Sequence, residues 1–102
     1  IPQRIWTSPL GSQEISGSPY TLKVLWEGYH TPHPDGTFHA DGTVTLLRGG
    51  ALTLLVDTGG PWDKPRLLRL LANEGVSPHD VTHVICTHGH SDHVGNLNLF
   101  PL

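Results

Sequence analysis

A helical stretch flanked on both sides by β-type runs constrains the fold of this chain more than any other feature. The run KPRLLRLLANE follows Asp63 and precedes Gly75, which are residue types typical of helix starts and stops. Residues 52–56 before it and residues 82–86 after it are rich in leucine or β-branched residues, as strands are. Strands joined by a helix predict an α/β layered sheet. The buried stripe of the helix is expected to be Leu67, Leu68 and Leu71.

Two more strands are predicted upstream of this unit. Residues 20–27 alternate in polarity, and residues 43–47 are joined to the next β-type run by a Gly-Gly turn at hairpin spacing. The segment 28–42 between them is rich in Gly, His and Pro and is interpreted as a long turn. Its histidines are expected to be surface residues, with contact to a substrate as the alternative. They are His30, His33 and His39.

Length and composition limit the domain organisation. Residues 1–18 are rich in Ser, Gly and Pro without periodicity and are predicted to form a loosely ordered lead-in, and residues 19–102 suffice for one domain. No apolar run approaches the ~18–20 residues that cross a bilayer, so no membrane segment is expected. The chain lacks methionine and an N-terminal signal pattern, and we interpret it as part of a longer protein.

Charge and cysteine content exclude some functions and favour a compartment. The net charge is -3, with 6 Lys and Arg against 9 acids, which is a poor electrostatic footprint for nucleic acid. The single cysteine, Cys86, forbids an intrachain disulfide and is typical of a reducing compartment. We therefore expect a cytosolic location, with the nucleus as an alternative. Cys86 itself is expected to be a small buried apolar residue of its strand.

Histidine is over-represented, and four candidate metal ligands follow the last predicted strand. The chain has 8 His, and the segment THGHSDH contains His88, His90, Asp92 and His93. In an extended segment alternate side chains share a face, so the first two imidazoles can bind one ion. If the chain turns into a helix near Ser91, the Asp and the last His can bind a second ion. Imidazole and carboxylate ligands together suit zinc, and a solvated loop without a metal is the alternative.

These segments resemble the metallo-β-lactamase superfamily. The resemblance rests on His-x-His-x-Asp-His after a strand, on the Asp-Thr-Gly turn that closes an earlier strand, and on the runs LLVDTGGPW and THGHSDHVGNLNLFP. It implies an αββα sandwich of which residues 19–102 form the N-terminal half, with two zinc ions in the complete domain. It also implies roles for five residues. His88 and His90 bind the first ion, Asp92 and His93 bind the second ion with Asp92 at the catalytic centre, and Asp57 supports the site by hydrogen bonding.

The resemblance further implies a metal-dependent hydrolase, because a zinc-bound water titrates near ~7 and supplies hydroxide at neutral pH. Within the superfamily it favours an endoribonuclease that acts on histone pre-mRNA. A thioesterase or lactonase is an alternative, although Asn96 stands where many of those enzymes carry glycine. The family's remaining ligands lie downstream of Leu102, so the chain alone is expected to be inactive. A non-catalytic truncated form that binds metal or a partner is the second alternative, and a homodimer is left open.

Overall fold

The computed structural model describes residues 8–9 and 11–101, which form a five-stranded sheet, a two-stranded sheet and two α-helices. The mixed α/β class that the sequence predicts is confirmed. The strands are β1 (Gln13–Ile15), β2 (Thr21–Trp26), β3 (Tyr29–Pro32), β4 (Phe38–Asp41), β5 (Val44–Gly49), β6 (Leu52–Val56) and β7 (His83–Ile85). The helices are α1 (Lys64–Asn73) and α2 (Ser91–Val94). None of the helices in these described segments is long and apolar enough to cross a bilayer.

The large sheet has the strand order β1-β2-β5-β6-β7. Its neighbours are antiparallel except for β6 and β7, which run parallel, with Leu55 paired to Val84. Parallel strands need a crossover connection, and α1 supplies it. The predicted strand-helix-strand unit is therefore confirmed. As a consequence, the ends of β6 and β7 lie side by side at one edge of the sheet.

Helix α1 covers one face of the sheet with an apolar stripe in which Leu70, and not the predicted Leu68, packs beside Leu67 and Leu71. Leu67 and Leu71 are fully buried against Leu46 and Leu55 of β5 and β6, whereas Leu68 is only half-buried. Each fully buried leucine stabilises the fold by about 1.5–3 kcal/mol relative to an exposed one. The helix begins directly after Asp63, as predicted, but the Asp63 carboxylate accepts a hydrogen bond from the Gly60 N–H at 2.9 Å and does not cap α1.

A β-bulge at the end of β2 breaks the alternation predicted for that strand. Val24 pairs with Thr45 and Trp26 pairs with Val44, so the register shifts between Val24 and Trp26. The extra residue turns both Leu25 and Trp26 inward, where they are 4% and 2% exposed. The bulge therefore places the Trp26 indole in the core, next to the residues that follow β4.

Two segments contain strands that the sequence analysis does not predict. Within the predicted lead-in 1–18, Gln13–Ile15 form β1 and pair with β2, so the expectation of loose order is wrong there. Residues 1–7 and 10 lie outside the described residues. The predicted turn 28–42 is a hairpin of β3 and β4, which pair with each other and form the second sheet. Both strands of this hairpin are largely exposed. Their residues do not show the apolar alternation that marks a half-buried strand, which is why the sequence did not predict them.

The prediction for Cys86 is wrong as well. Cys86 is exposed, and Ile85 before it is 46% exposed. Strand β7 lies at the end of the sheet order, so within the described residues it has a neighbour on one side only. An edge position explains why a β-branched run with the composition of a buried strand is poorly covered.

Candidate metal centre

The candidate metal ligands lie at the edge where β6 and β7 end. Asp57 follows β6 directly, and the segment from Thr87 to His93 follows β7. The Asp57 N–H donates to the Ile85 carbonyl at 2.8 Å, which extends the parallel pairing by one residue. The chain turns into α2 at Ser91, as the sequence predicts, with His90 as the residue before the helix. The topology therefore brings Asp57 and the histidine motif together although they lie about thirty positions apart in the chain.

Asp57 is the central hydrogen-bond acceptor of this edge. It is 3% exposed, and it is the only non-glycine residue with a positive φ, 63°, in the described part of the chain. Its Oδ1 accepts from the Thr87 N–H at 2.8 Å, and its Oδ2 accepts from the Thr87 hydroxyl and from His93 Nδ1, each at 2.7 Å. Burial raises the pKa of Asp57, but the hydrogen bonds from His93 and Thr87 outweigh it and hold the pKa below its usual value.

These hydrogen bonds fix the protons on two of the predicted ligands. A carboxylate only accepts, so His93 must carry its proton on Nδ1, and the Thr87 hydroxyl must donate its single proton to Asp57. The Thr87 oxygen then accepts from His88 Nδ1, which lies 3.0 Å away. Both His88 and His93 are thereby held in the tautomer that leaves Nε2 available to a metal ion.

Three imidazoles cluster at this edge. The ring centroid of His88 lies 4.7 Å from that of His90 and 4.0 Å from that of His93. His93 Nε2 lies 3.5 Å from the Asp92 carboxylate. Within residues 8–9 and 11–101, no group of three or more His, Cys, Asp or Glu side chains is placed to hold a metal ion. The nitrogen and oxygen donors suit zinc, so these residues fit part of a ligand set, and their individual assignments stay predictions.

A second layer of hydrogen bonds joins the loop after β6 to the residues after α2. Thr58 N–H donates to the His93 carbonyl at 2.8 Å, and Gly95 N–H donates to the Gly59 carbonyl at 2.9 Å. Asn96 is 2% exposed, and its amide donates to the carbonyls of Thr58 at 2.9 Å and Gly60 at 2.7 Å. From the sequence alone, Asn96 only distinguishes subfamilies. In the structure its side chain positions the loop after β6, which a glycine at this position could not do. We call residues 57–60 together with residues 93–96 the loop junction.

Gly42, after β4, forms a wall against the His93 ring. A β-carbon at Gly42 would lie 2.7 Å from Cε1 and 2.9 Å from Nδ1 of His93, so only glycine lets the backbone pass there. The Gly42 carbonyl accepts a hydrogen bond from the buried indole N–H of Trp26 at 2.8 Å. The bulge that turns Trp26 inward thus helps to set the position of the wall.

A pair of buried acids lies beside this wall. Asp41 and Asp63 are each 6% exposed, and they join the β3–β4 hairpin to the turn that precedes α1. Burial raises the pKa of Asp41 to about 7, and the neighbouring Asp63 carboxyl contributes to the rise through a hydrogen bond and charge repulsion. The pair therefore retains a proton close to neutral pH.

Sequence reasoning identified the histidine motif and Asp57 but missed most of the residues that position them. Thr87 was the one with an available signal, because a hydroxyl directly before the motif can bond to a neighbouring ligand. The others depend on contacts between distant segments, which a sequence pattern does not display. They are Trp26, Asp41, Gly42, Thr58 and Asp63.

An apolar groove of about 280 Å³ lies along β7 and contains none of the predicted ligands. Its walls come from β7 and from the residues after α2. They are Val81, Thr82, His83, Val84, Leu97, Phe100 and Pro101. The groove is therefore distinct from the histidine cluster.

Comparison with known proteins establishes the family. The sequence model of the metallo-beta-lactamase superfamily matches residues 39–102, which include Asp57 and the whole histidine motif. The chain belongs to the metallo-β-lactamase superfamily. The resemblance stated from the sequence is thus confirmed, and so is the expectation of part of this fold.

Three similar proteins show the extent of the match. Metallo-beta-lactamase domain-containing protein 1 from Xenopus laevis is 62% identical over 94 residues, covering 92% of this chain and 40% of the relative. Ribonuclease Z from Mycolicibacterium gilvum is 34% identical over 76 residues, covering 74% of this chain and 24% of the relative. The crystal structure of a Thermotoga maritima protein described as a metallo-beta-lactamase superposes with a TM-score of 0.68 at 31% identity. That superposition covers 79% of this chain and 39% of the Thermotoga chain, so this chain spans less than half of each relative.

Proposed function

We propose that the protein carrying this chain is a metal-dependent hydrolase whose substrate is an RNA phosphodiester. The superfamily is one of metal-binding hydrolases in general, and one relative is named a ribonuclease. The observation that supports the proposal is the network in which Asp57 and Thr87 leave Nε2 of His88 and His93 available to a metal ion. Histone pre-mRNA, the substrate that the sequence resemblance favours, is the specific form of the proposal.

In the proposed reaction, the chain's own residues bind and orient. His88 and His90 hold one zinc ion, and Asp92 and His93 hold a second. A bound zinc ion supplies Lewis-acid activation of water at neutral pH. Asp57 keeps the His93 proton on Nδ1, and Thr87 does the same for His88. Trp26 and Gly42 limit the movement of the His93 ring.

We further propose that the 102-residue chain alone is inactive. The described residues offer no group of three or more ligands around one point, and a hydrolytic site needs its ion held at fixed geometry. Misplacement by even ~1 Å can lower a rate on the order of 100-fold. Chelator-sensitive turnover by the isolated chain would contradict this proposal.

The test compares substrates on the full protein that carries this chain. Single-stranded RNA, a thioester and a lactone are assayed before and after treatment with a chelator, and again after zinc is restored. We expect RNA cleavage that the chelator removes and zinc restores. The His88→Ala/His90→Ala variant should lose at least ~100-fold in rate, because both ligands that this chain contributes to one ion are gone and loss of a residue that merely supports a ligand already costs up to ~100-fold. His79→Ala, which changes an exposed histidine outside the site, is the matched control and should keep the wild-type rate.

The other outcomes separate the alternatives. Turnover of the thioester or lactone in place of RNA would replace the substrate part of the proposal and keep the hydrolase. Turnover that survives the chelator would contradict metal dependence. Zinc binding without turnover of any substrate would favour the non-catalytic form.

We also propose that the protein works in the cytosol, or in the nucleus if its substrate is nuclear RNA. The support is the single cysteine, because a reducing compartment does not select for disulfides. Fractionation of cells that express the tagged full protein would test this proposal. Recovery from the secretory pathway would contradict it.

A further inference from the structure

The β3–β4 hairpin carries a pair of histidines that the proposed hydrolytic centre does not use. His33 follows β3 directly, and His39 lies in β4. His33 Nε2 is in hydrogen-bond contact with His39 Nδ1, and the two rings meet edge to face with their centroids 4.6 Å apart. Two ring nitrogens that face each other can hold either one proton or one metal ion between them.

The register of the hairpin places both rings on the same face. Thr31 pairs with His39, and side chains two positions apart on a strand point the same way, so His33 follows Thr31 onto the His39 face. His30 pairs with Ala40 on the opposite face, where its ring packs against Phe38 with a centroid distance of 4.7 Å. The contact between His33 and His39 is therefore built by strand pairing.

The turn that joins the two strands is held by its own hydrogen bonds. His33 N–H donates to the Thr37 carbonyl at 2.7 Å, and Gly36 N–H donates to the His33 carbonyl at 3.1 Å. Asp35 Oδ1 accepts from the Thr37 N–H at 2.9 Å. These bonds fix the backbone on both sides of the histidine pair. A ligand that bridges the pair then loses little affinity to ordering of the chain.

We propose that His33 and His39 bind one divalent transition-metal ion, with water completing its coordination. Imidazole suits Cu²⁺, Ni²⁺ and Zn²⁺, and Cu²⁺ binds nitrogen ligands most strongly among them. Metal–nitrogen bonds of ~2.0–2.1 Å at a tetrahedral angle place two ligand nitrogens about 3.3 Å apart. Binding of an ion therefore requires the two rings to rotate until the contacting nitrogens reach that separation. This site is separate from the proposed hydrolytic centre and does not depend on it.

The test is an NMR titration of the full, ¹⁵N-labelled protein with Cu²⁺ alone at pH 7.5. Paramagnetic Cu²⁺ broadens the signals of nearby nuclei, so it reports each site separately. We expect the amide signals of Gly36 and Thr37 to broaden in the wild type and Zn²⁺ to restore them by competition. His39→Asn should weaken the apparent affinity at these amides at least tenfold. His30→Asn, on the opposite face of the hairpin, is the matched control and should leave the affinity unchanged.

Two results would overturn the proposal. One is unchanged Gly36 and Thr37 signals in the wild type, which would leave the pair sharing a proton. The other is equal broadening of these amides in the wild type and in His39→Asn. His33→Asn repeats the test from the other strand, and Zn²⁺-induced shifts of the imidazole nitrogens of both histidines decide it in the wild type without any variant. Broadening near His88 is scored separately, so the hydrolytic centre can fail while the hairpin site stands.

Discussion

Two aspartates hold a threonine in nearly the same way in two regions of this molecule, and their surroundings differ. Asp35 in the hairpin turn accepts from the N–H and hydroxyl of Thr37, two positions away. Asp57 at the loop junction accepts from the N–H and hydroxyl of Thr87, thirty positions away. Asp35 is exposed, whereas Asp57 is 3% exposed and also accepts from His93. The same bonds therefore shape a local turn in one region and fix predicted metal ligands in the other.

The difference in burial between the loop junction and the hairpin indicates a different role for each region. Asp57, Thr58 and Asn96 of the loop junction are buried and hydrogen-bonded, so removal of one partner leaves another buried group unsatisfied. The hairpin exposes large side chains, with Tyr29 at 50% and Phe38 at 60%, and Gly42 directly after it lies against His93 of the junction. Segments with few buried contacts open most easily. The junction is thus suited to hold ligands, and the hairpin is suited to adapt.

The largest expected effect separates the two aspartates. Asp57→Asn in the full protein should lower zinc affinity up to ~100-fold while the protein stays folded. An amide has a single acceptor oxygen, so it cannot replace both Oδ1, which accepts from the Thr87 N–H, and Oδ2, which accepts from the Thr87 hydroxyl and His93. Asp35→Asn is the matched control and should leave zinc affinity at the centre unchanged. Equilibrium dialysis with metal analysis measures the affinity, and circular dichroism measures the fold. Wild-type zinc affinity in Asp57→Asn would reduce Asp57 to a turn-forming residue.

The second prediction concerns stability in the same two regions. Asn96→Ala should lower the free energy of unfolding of the full protein by about 2 kcal/mol, because the carbonyls of Thr58 and Gly60 lose their buried donor. Thr37→Ala in the exposed hairpin should cost less than about 0.5 kcal/mol. Urea denaturation of both variants checks the contrast. Equal losses would show that the junction is no more constrained than the hairpin.

The third prediction concerns the wall where the hairpin meets His93. Gly42→Ala should weaken zinc binding about tenfold, because the new methyl group displaces the His93 ring from a contact of 2.7 Å. Gly89→Ala is the control, since its added β-carbon meets no described atom within 4 Å although it lies between two predicted ligands. A zinc titration monitored by a competing chromogenic chelator gives both affinities. If Gly89→Ala weakens binding more than Gly42→Ala, the wall does not position His93.

The smallest effect is expected from the buried acid pair, and it depends on pH. Burial and the neighbouring Asp63 raise the pKa of Asp41 to about 7 from an ordinary 3.8. The folded state then binds more protons than the unfolded state between these values, so this contribution to stability is lost as pH rises toward 7. Asp41→Asn removes the titrating group and can still donate to Asp63. Its stability relative to the wild type should therefore increase by about 1 kcal/mol between pH 6 and pH 7.

Urea denaturation at each pH measures this difference. Asp80→Asn is the control, because hydrogen bonds from Ser77 lower the pKa of Asp80 and place its titration below that range. Its stability relative to the wild type should stay constant between pH 6 and pH 7. A constant difference for Asp41→Asn would contradict a protonated acid pair.

The elements that the sequence predicted correctly are those with strong local patterns. The helical period of its leucines identified α1, and β-rich composition identified β6 and β7. The hairpin of β3 and β4 was missed because its strands are exposed on most positions and carry histidine and proline in place of an apolar alternation. The bulge at Trp26 was missed because it arises from pairing with β5, not from the local sequence.

The candidate site divides in the same way. Spacing alone identifies the four candidate ligands of the motif, because they lie close together in the chain: His88, His90, Asp92 and His93. Asp57 follows from the family pattern. Asn96 bonds to Thr58, 38 positions away, and Gly42 contacts His93, about 50 positions away. Local sequence patterns therefore do not reveal the roles of these two residues. The exposure of Cys86 was also unpredictable, because it depends on which strand ends the sheet.

The parallel pairing of β6 and β7 has a consequence for how the protein folds. Strands β5 and β6 can pair early through a short turn, but Asp57 meets Thr87 only after the intervening thirty positions, with α1 among them, have closed into a loop. Contacts of long sequence separation form slowly, because chain entropy is lost before the contact stabilises anything. The tautomers of His88 and His93 are therefore fixed late in folding. A nascent chain that has formed only its hairpins presents these predicted ligands without the order that the proposed metal site requires.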